Sequence, residues 1–75
     1  MSEILIDTRG QKCPIPVLKL EKQLENSKGS EIIILLSDDP IAKIDIPLYC
    51  KKNAHKCESS NEGTHFIFNI KKSKT

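Results

Sequence analysis

Apolar and polar positions along this chain fall into blocks of different period, and the blocks read as six elements. Ile4, Leu5 and Ile6 form a short strand. Asp7 to Lys12 is a polar loop in which Gly10 is free to take a positive φ. From about Pro14 to Ser27 the pattern turns helical. Val17, Leu20 and Leu24 recur at i, i+3 and i+7, with Lys19, Lys22, Gln23 and Asn26 on other faces. Lys28-Gly29-Ser30 closes that helix, with Gly29 placed as the residue just past its end. Ile32 to Leu36 is a continuous apolar run, short and rich in β-branched residues, which reads as a central strand.

The second helix is patterned less cleanly. Ile41, Ile44 and Leu48, joined by Tyr49, repeat at helical spacing, but Pro47 interrupts them. A proline inside a helix removes a hydrogen bond and favours a kink. The reading adopted is a short turn capped by Asp38 or Asp39, then a main helix capped by Asp45. Pro47 then falls in its first turn and Cys50 in its early part. Asn53 ends the helix. Lys56 to Ser59 is a weak strand, Asn61-Glu62-Gly63 a hairpin loop, and His65 to Ile70 a strong strand whose Phe66, Phe68 and Ile70 share the core face. The order β-α-β-α-β-β, with right-handed crossovers, predicts an α+β two-layer sandwich. A four-stranded mixed sheet carries both helices on one face and leaves the other face to solvent.

Seventy-five residues make one small domain, 1–75, with room for one core and a frayed tail over 71–75. A docking face or an exposed chemical group fits such a size better than an enclosed pocket. The net charge of +2 is nearly balanced, and Tyr49, Phe66 and Phe68 are the whole aromatic complement. Neither feature points to nucleic acid. Ile4-Leu5-Ile6 is too short for the apolar core of a signal peptide, and no apolar run reaches membrane-spanning length. The expectation is therefore a cytoplasmic protein, whose three cysteines (Cys13, Cys50 and Cys57) are free thiols.

Candidate chemistry centres on Cys13-Pro14-Ile15-Pro16. Proline is favoured at the first helical position, so Pro14 reads as the helix start and Cys13 as the residue before it. Unpaired backbone N–H groups and the positive end of the helix dipole favour a thiolate there, and the thiolate is the reactive form. Arg9 and Lys12 add positive charge nearby in sequence, Pro14 and Pro16 stiffen the first turn, and Gly10 shapes the loop. The alternatives are weaker. A redox pair of Cys13 with Cys50 lacks a Cys-x-x-Cys motif. A metal set drawn from Cys13, Cys50, His55, Cys57 and His65 lacks the close ligand pairs of a zinc site, so no metal is expected. His55 and Cys57, two apart on a strand, would share a face. Asp38, Asp39 and Asp45 are accounted for by turn and cap roles. A non-enzymatic binding module using the open sheet face stays as the reading from another functional class.

The block Asp7-Thr8-Arg9-Gly10-Gln11-Lys12-Cys13-Pro14-Ile15-Pro16-Val17 resembles the N-terminal signature of the TusA (SirA-like) family of sulfur carrier proteins. A second block, Asp38-Asp39-Pro40 followed by Asp45-Ile46-Pro47, Cys50 and His55, agrees at the matching separation. The resemblance covers nearly the whole chain. It implies the same β-α-β-α-β-β sandwich, and a sulfur relay in which Cys13 accepts a sulfane sulfur from a cysteine desulfurase as a persulfide. The sulfur then passes to a downstream acceptor protein, in the best-known members towards 2-thiouridine in tRNA and in relatives towards other sulfur or selenium pathways. A monomer that forms transient complexes suits such a carrier, and no cofactor and no direct membrane or nucleic-acid contact are expected. Ile15 departs from the acidic residue frequent in the tRNA-thiolating members, while Lys12 keeps the basic residue before the cysteine.

Overall fold

The computed structural model describes residues 3–12, 14–26 and 31–72. The elements are β1 (Glu3–Asp7), α1 (Ile15–Asn26), β2 (Ile32–Ser37), α2 (Ala42–Lys52), β3 (Lys56–Asn61) and β4 (Phe66–Lys71). One sheet holds all four strands in the order β1-β2-β4-β3. β1 runs parallel to β2, and β4 runs antiparallel to both β2 and β3. The predicted order and mixed sheet are thus the observed ones. Lys71, expected in a frayed tail, is still paired in β4, and residues 73–75 lie outside the described part.

A single apolar layer explains the two-layer form. Ile33 and Leu35 of β2 stand opposite Ile70 and Phe68 of β4, and all four are buried. Onto that face α1 lays Pro16, Leu20 and Leu24, and α2 lays Ala42, Ile46 and Cys50, with Ile4, Ile6, Val17, Tyr49, Cys57 and Phe66 packed around the edge. The α1 stripe follows its predicted period. Its helix begins one residue later than expected. Pro14 lies in the preceding turn and its C=O accepts the Leu18 N–H at 2.9 Å, so Pro14 is the cap and Ile15 the first helical residue. Pro16 is fully buried and so contributes to the core as well as stiffening the turn. The proposed end of α1 at Gly29 lies outside the described residues.

The second helix corrects the sequence reading in three ways. It is one continuous helix from Ala42, not a short turn followed by a helix capped at Asp45. Asp39 starts it, accepting the Ala42 N–H on its C=O at 3.0 Å and the Ile41 N–H on its carboxylate at 3.0 Å. Pro47 therefore lies inside the helix, where the Lys43 carbonyl loses its usual partner. The buried face is Ala42, Ile46 and Cys50. Ile41, Ile44 and Leu48 point outward, and Ile44 is 69% exposed while Ile46 is fully buried. Cys50 accordingly sits buried in the last turn rather than half-buried in an early one. The reason is that α2 is apolar at positions on both sides, so its own period cannot choose a face. Packing onto the β2–β4 face, where Ala42, Ile46 and Cys50 join the core, chooses it.

α2 ends in a turn built on an unusual residue. Ala54 has φ of 59°, a left-handed conformation usually left to glycine. Its N–H donates to Lys51 C=O at 3.3 Å and His55 N–H to Cys50 C=O at 2.8 Å, the paired bonds of a Schellman ending. The chain then enters β3 directly.

Candidate functional site

β1 and β2 are parallel and adjacent, so the loops after them meet at one end of the sheet, the position where open α/β sheets place their functional groups. The first loop holds Thr8 to Lys12 and leads to position 13. Thr8 is buried, and its N–H donates to Leu36 C=O at 2.8 Å, extending the β1–β2 ladder by one step. Gln11 N–H closes back on Thr8 C=O at 3.0 Å. Between them Gly10 has φ of 84°, which an L side chain rarely adopts, so the loop-shaping role expected of this glycine has a definite conformational basis.

The contact that joins the two loops is one the sequence reading missed. The Gly10 N–H donates to both carboxylate oxygens of Asp38, at 3.0 and 2.9 Å. A charged acceptor on a backbone donor makes a stronger hydrogen bond than a neutral one. Asp38, expected to serve only its own turn, thereby ties the loop before α1 to the loop before α2. Its place in the Asp38-Asp39-Pro40 block was the available signal, but a partner 28 residues away cannot be read from spacing. Gln11 was also passed over. Its side-chain Oε1 is buried with no hydrogen-bond partner among the described residues.

Of the residues proposed for the site, Gly10, Lys12 and Pro14 lie together in this loop and exposed, and Pro16 lies beneath them in the core. Cys13 lies outside the described residues. Its neighbours are connected, since Ile15 N–H donates to Lys12 C=O at 3.0 Å. The supply of first-turn donors is reduced, because Pro14 and Pro16 have none and the N–H groups of Ile15 and Leu18 are taken by Lys12 and Pro14. Arg9 is otherwise engaged. Its guanidinium donates to Asp7 through Nε at 2.9 Å and Nη2 at 2.7 Å, and that pair holds the Asp7 carboxyl down at about 2 while raising Arg9. Arg9, one of the two cations expected near the thiol, is thus paired with Asp7.

The other sequence candidates are dispersed. His65 stands in the β3–β4 loop, where Thr64 Oγ1 contacts its Nδ1 at 3.1 Å. His55 lies at the opposite end of the sheet, just before β3 rather than on it, so it does not share a strand face with Cys57. Its ring is 6.3 Å from that of Tyr49, and burial lowers its pKa. Among the described residues no three His, Cys, Asp or Glu side chains form a metal-ligand group. Nor, among these residues, is any helix long and apolar enough to cross a membrane.

Around the helix starts the surface is apolar. Ile15 and Leu18 of α1 are exposed, as are Ile41 at the start of α2 and Ile44 and Leu48 on its outer face. An exposed apolar set on a domain of this size has the character of an interaction surface.

Fold and loop together define a small α+β protein that carries a Cys-Pro-x-Pro helix start at one pole of its sheet. Residues 4–72 match the model of the family described as sulfurtransferase TusA, and the chain belongs to that family. Among solved structures, the SirA-like protein of Desulfitobacterium hafniense superposes with a TM-score of 0.83 at 23% identity, over 95% of this chain and 99% of that one. At that identity the likeness speaks for the fold. Family membership assigns the chain to sulfur transfer, within relays that involve other proteins.

Proposed function

We propose that this protein is a sulfur carrier whose Cys13 holds the transferred sulfur as a persulfide, loaded by a cysteine desulfurase and unloaded by an acceptor protein in the cytoplasm. The observation that carries this reading is the Cys-Pro-x-Pro segment at the start of α1 within a chain of the TusA family. In the loading step the Cys13 thiolate attacks the terminal sulfur of the donor's persulfide. The donor S–S bond breaks, the donor cysteine leaves as a thiolate, and Cys13 becomes the persulfide. In the second step an acceptor thiolate attacks that terminal sulfur and Cys13 leaves as a thiolate. Neither step has a net redox change, so no cofactor resident in this chain is required.

The surroundings support the same reading. A carrier must be reached in turn by two partners, and the loop that bears Gly10, Lys12 and Pro14 is exposed. The apolar side chains of Ile15, Leu18, Ile41 and Ile44 beside it offer partners a surface to cover. Lys12 brings positive charge to the residue before Cys13. We take delivery towards tRNA 2-thiouridine as the destination. Ile15, apolar where an acidic side chain is frequent, sits where an acceptor would read it.

The test is intact-protein mass after incubation with a cysteine desulfurase, its pyridoxal phosphate and cysteine, without reductant. The expected result is one added sulfur on the wild type and none on Cys13→Ser. Sulfur added equally to both would remove Cys13 as the carrier.

A further inference from the structure

β2 is apolar at every position from Ile32 to Leu36, the pattern of a strand covered on both faces. The structure covers one of them. Ile33 and Leu35 turn to the helices and are buried. Ile32, Ile34 and Leu36 turn the other way and are half-buried, with no element over them among the described residues. The register widens this open face into a patch. Leu5 of β1 stands beside Ile34 and is 64% exposed, and Ile67 of β4 stands beside Leu36. One row across the sheet is strongly polarised. It runs from Glu3 on β1 through Ile32 to Lys71 on β4 and Lys56 on β3, with all three charged side chains exposed. The patch is therefore apolar in its middle, acidic at the β1 edge and basic at the β3 edge of that row.

We propose that the open sheet face is a self-association surface, on which a second copy of this chain packs sheet to sheet about a two-fold axis parallel to the strands. Such an axis, passing between β2 and β4, lays β1 of each copy over β3 of the other and β2 over β4. Glu3 of each copy then faces Lys56 of the other, and Leu36 of each faces Ile67 of the other. A two-fold axis across the strands is disfavoured. It sets Glu3 against Asp7 of the second copy and Glu58 against its own counterpart, and like charges facing each other oppose association. The charges thus fit the face to its own copy and choose one orientation, while the apolar middle supplies the attraction. Four strands about 4.8 Å apart, five or six residues long, make a face on the order of 15–20 Å on a side. That is well short of the roughly 800 Å² that each partner gives to a stable interface, so the pairing is weak and depends on concentration. The helices of both copies stay on the outside. The two helix-start poles lie at the same end of the pair, and the loop bearing Gly10 and Lys12 stays open in each.

The test is sedimentation equilibrium of the wild-type chain, with reductant and at low ionic strength, over a wide range of concentration. The expected result is an average mass that rises with concentration from one chain towards two. Glu3→Lys and Lys56→Glu, both at exposed positions, each turn the two facing pairs repulsive and should raise the dissociation constant about tenfold. The double variant Glu3→Lys/Lys56→Glu restores opposite charges and should return the wild-type constant. Circular dichroism confirms that the three variants are folded. The mass of one chain at every concentration up to about 1 mM would overturn the proposal. So would a dimer indifferent to both single changes, or one that the double variant fails to restore. A dimer abolished by Ile44→Lys, on the outer face of α2, would place the contact on the helices and overturn it as well.

Discussion

The two poles of this molecule hold their chains in place by different means. At the helix-start pole the loops are joined through a backbone N–H and a carboxylate, Gly10 to Asp38, both exposed, and the neighbouring charge pair Asp7–Arg9 is exposed as well. At the other pole the α2–β3 connection is held by backbone bonds around Ala54 and by two thiols seated against the core. Polar tethers at the surface position a loop while leaving it open to partners. Apolar and main-chain tethers fix an element but leave little for a partner to reach. The same small fold therefore divides into an end held by exposed polar tethers and an end braced against the core.

The largest test of that division is functional. Cys13→Ser should abolish sulfur loading, whereas Cys57→Ser should load at the wild-type rate in the same mass assay. A loss in both would mean that the poles do not act separately. Next come the two faces of α2, the helix that joins the poles. Ile46→Ala removes a fully buried side chain and should cost about 2–5 kcal/mol. Ile44→Ala, at an exposed position, should stay within about 0.5 kcal/mol. Urea denaturation of the two variants reads both values. Equal losses would reverse the assignment of the buried face.

Smaller effects follow from the tethers. Asp38→Ala leaves the Gly10 N–H to water and should cost about 1 kcal/mol, less than a buried charged hydrogen bond because the site is exposed. It should also slow sulfur loading, which a purely local turn role for Asp38 would not do. The two positive-φ residues should respond with opposite sign. Gly10→Ala puts a Cβ where φ is 84° and should destabilise by about 1 kcal/mol, though no atom lies in its way. Ala54→Gly removes a Cβ from a left-handed position and should stabilise by up to about 1 kcal/mol. Thermal melts of the pair, run side by side, make the comparison.

The smallest effect is on pH dependence. The Asp7 carboxyl is lowered from 3.8 to about 2 by its hydrogen bonds from Arg9. A depressed carboxylate contributes stability that is present above its unfolded pKa and lost as pH falls through the folded one. Acid titration should therefore show a shallow decline between pH 4 and 2 that is absent in Asp7→Asn. Raised salt should flatten it, since the pair is exposed to solvent.

How much of this was legible in the sequence depended on whether the deciding contacts were local. Element order, the α1 stripe at Leu20 and Leu24, and the alternation of Phe68 and Ile70 are periodic within single segments, and the sequence alone determined them. The Cys-Pro-x-Pro motif and its place before a helix were equally local. Only the tertiary structure decided which face of α2 is buried, because Ile41, Ile44 and Leu48 compete with Ala42, Ile46 and Cys50 on nearly equal terms until the sheet is present. It also decided that Arg9 turns to Asp7, that Asp38 reaches Gly10 across 28 residues, and that α2 ends through a left-handed alanine. Each of these is a pairing between groups with several available partners. A sequence states which partners exist, and the free energy of the packed chain selects among them.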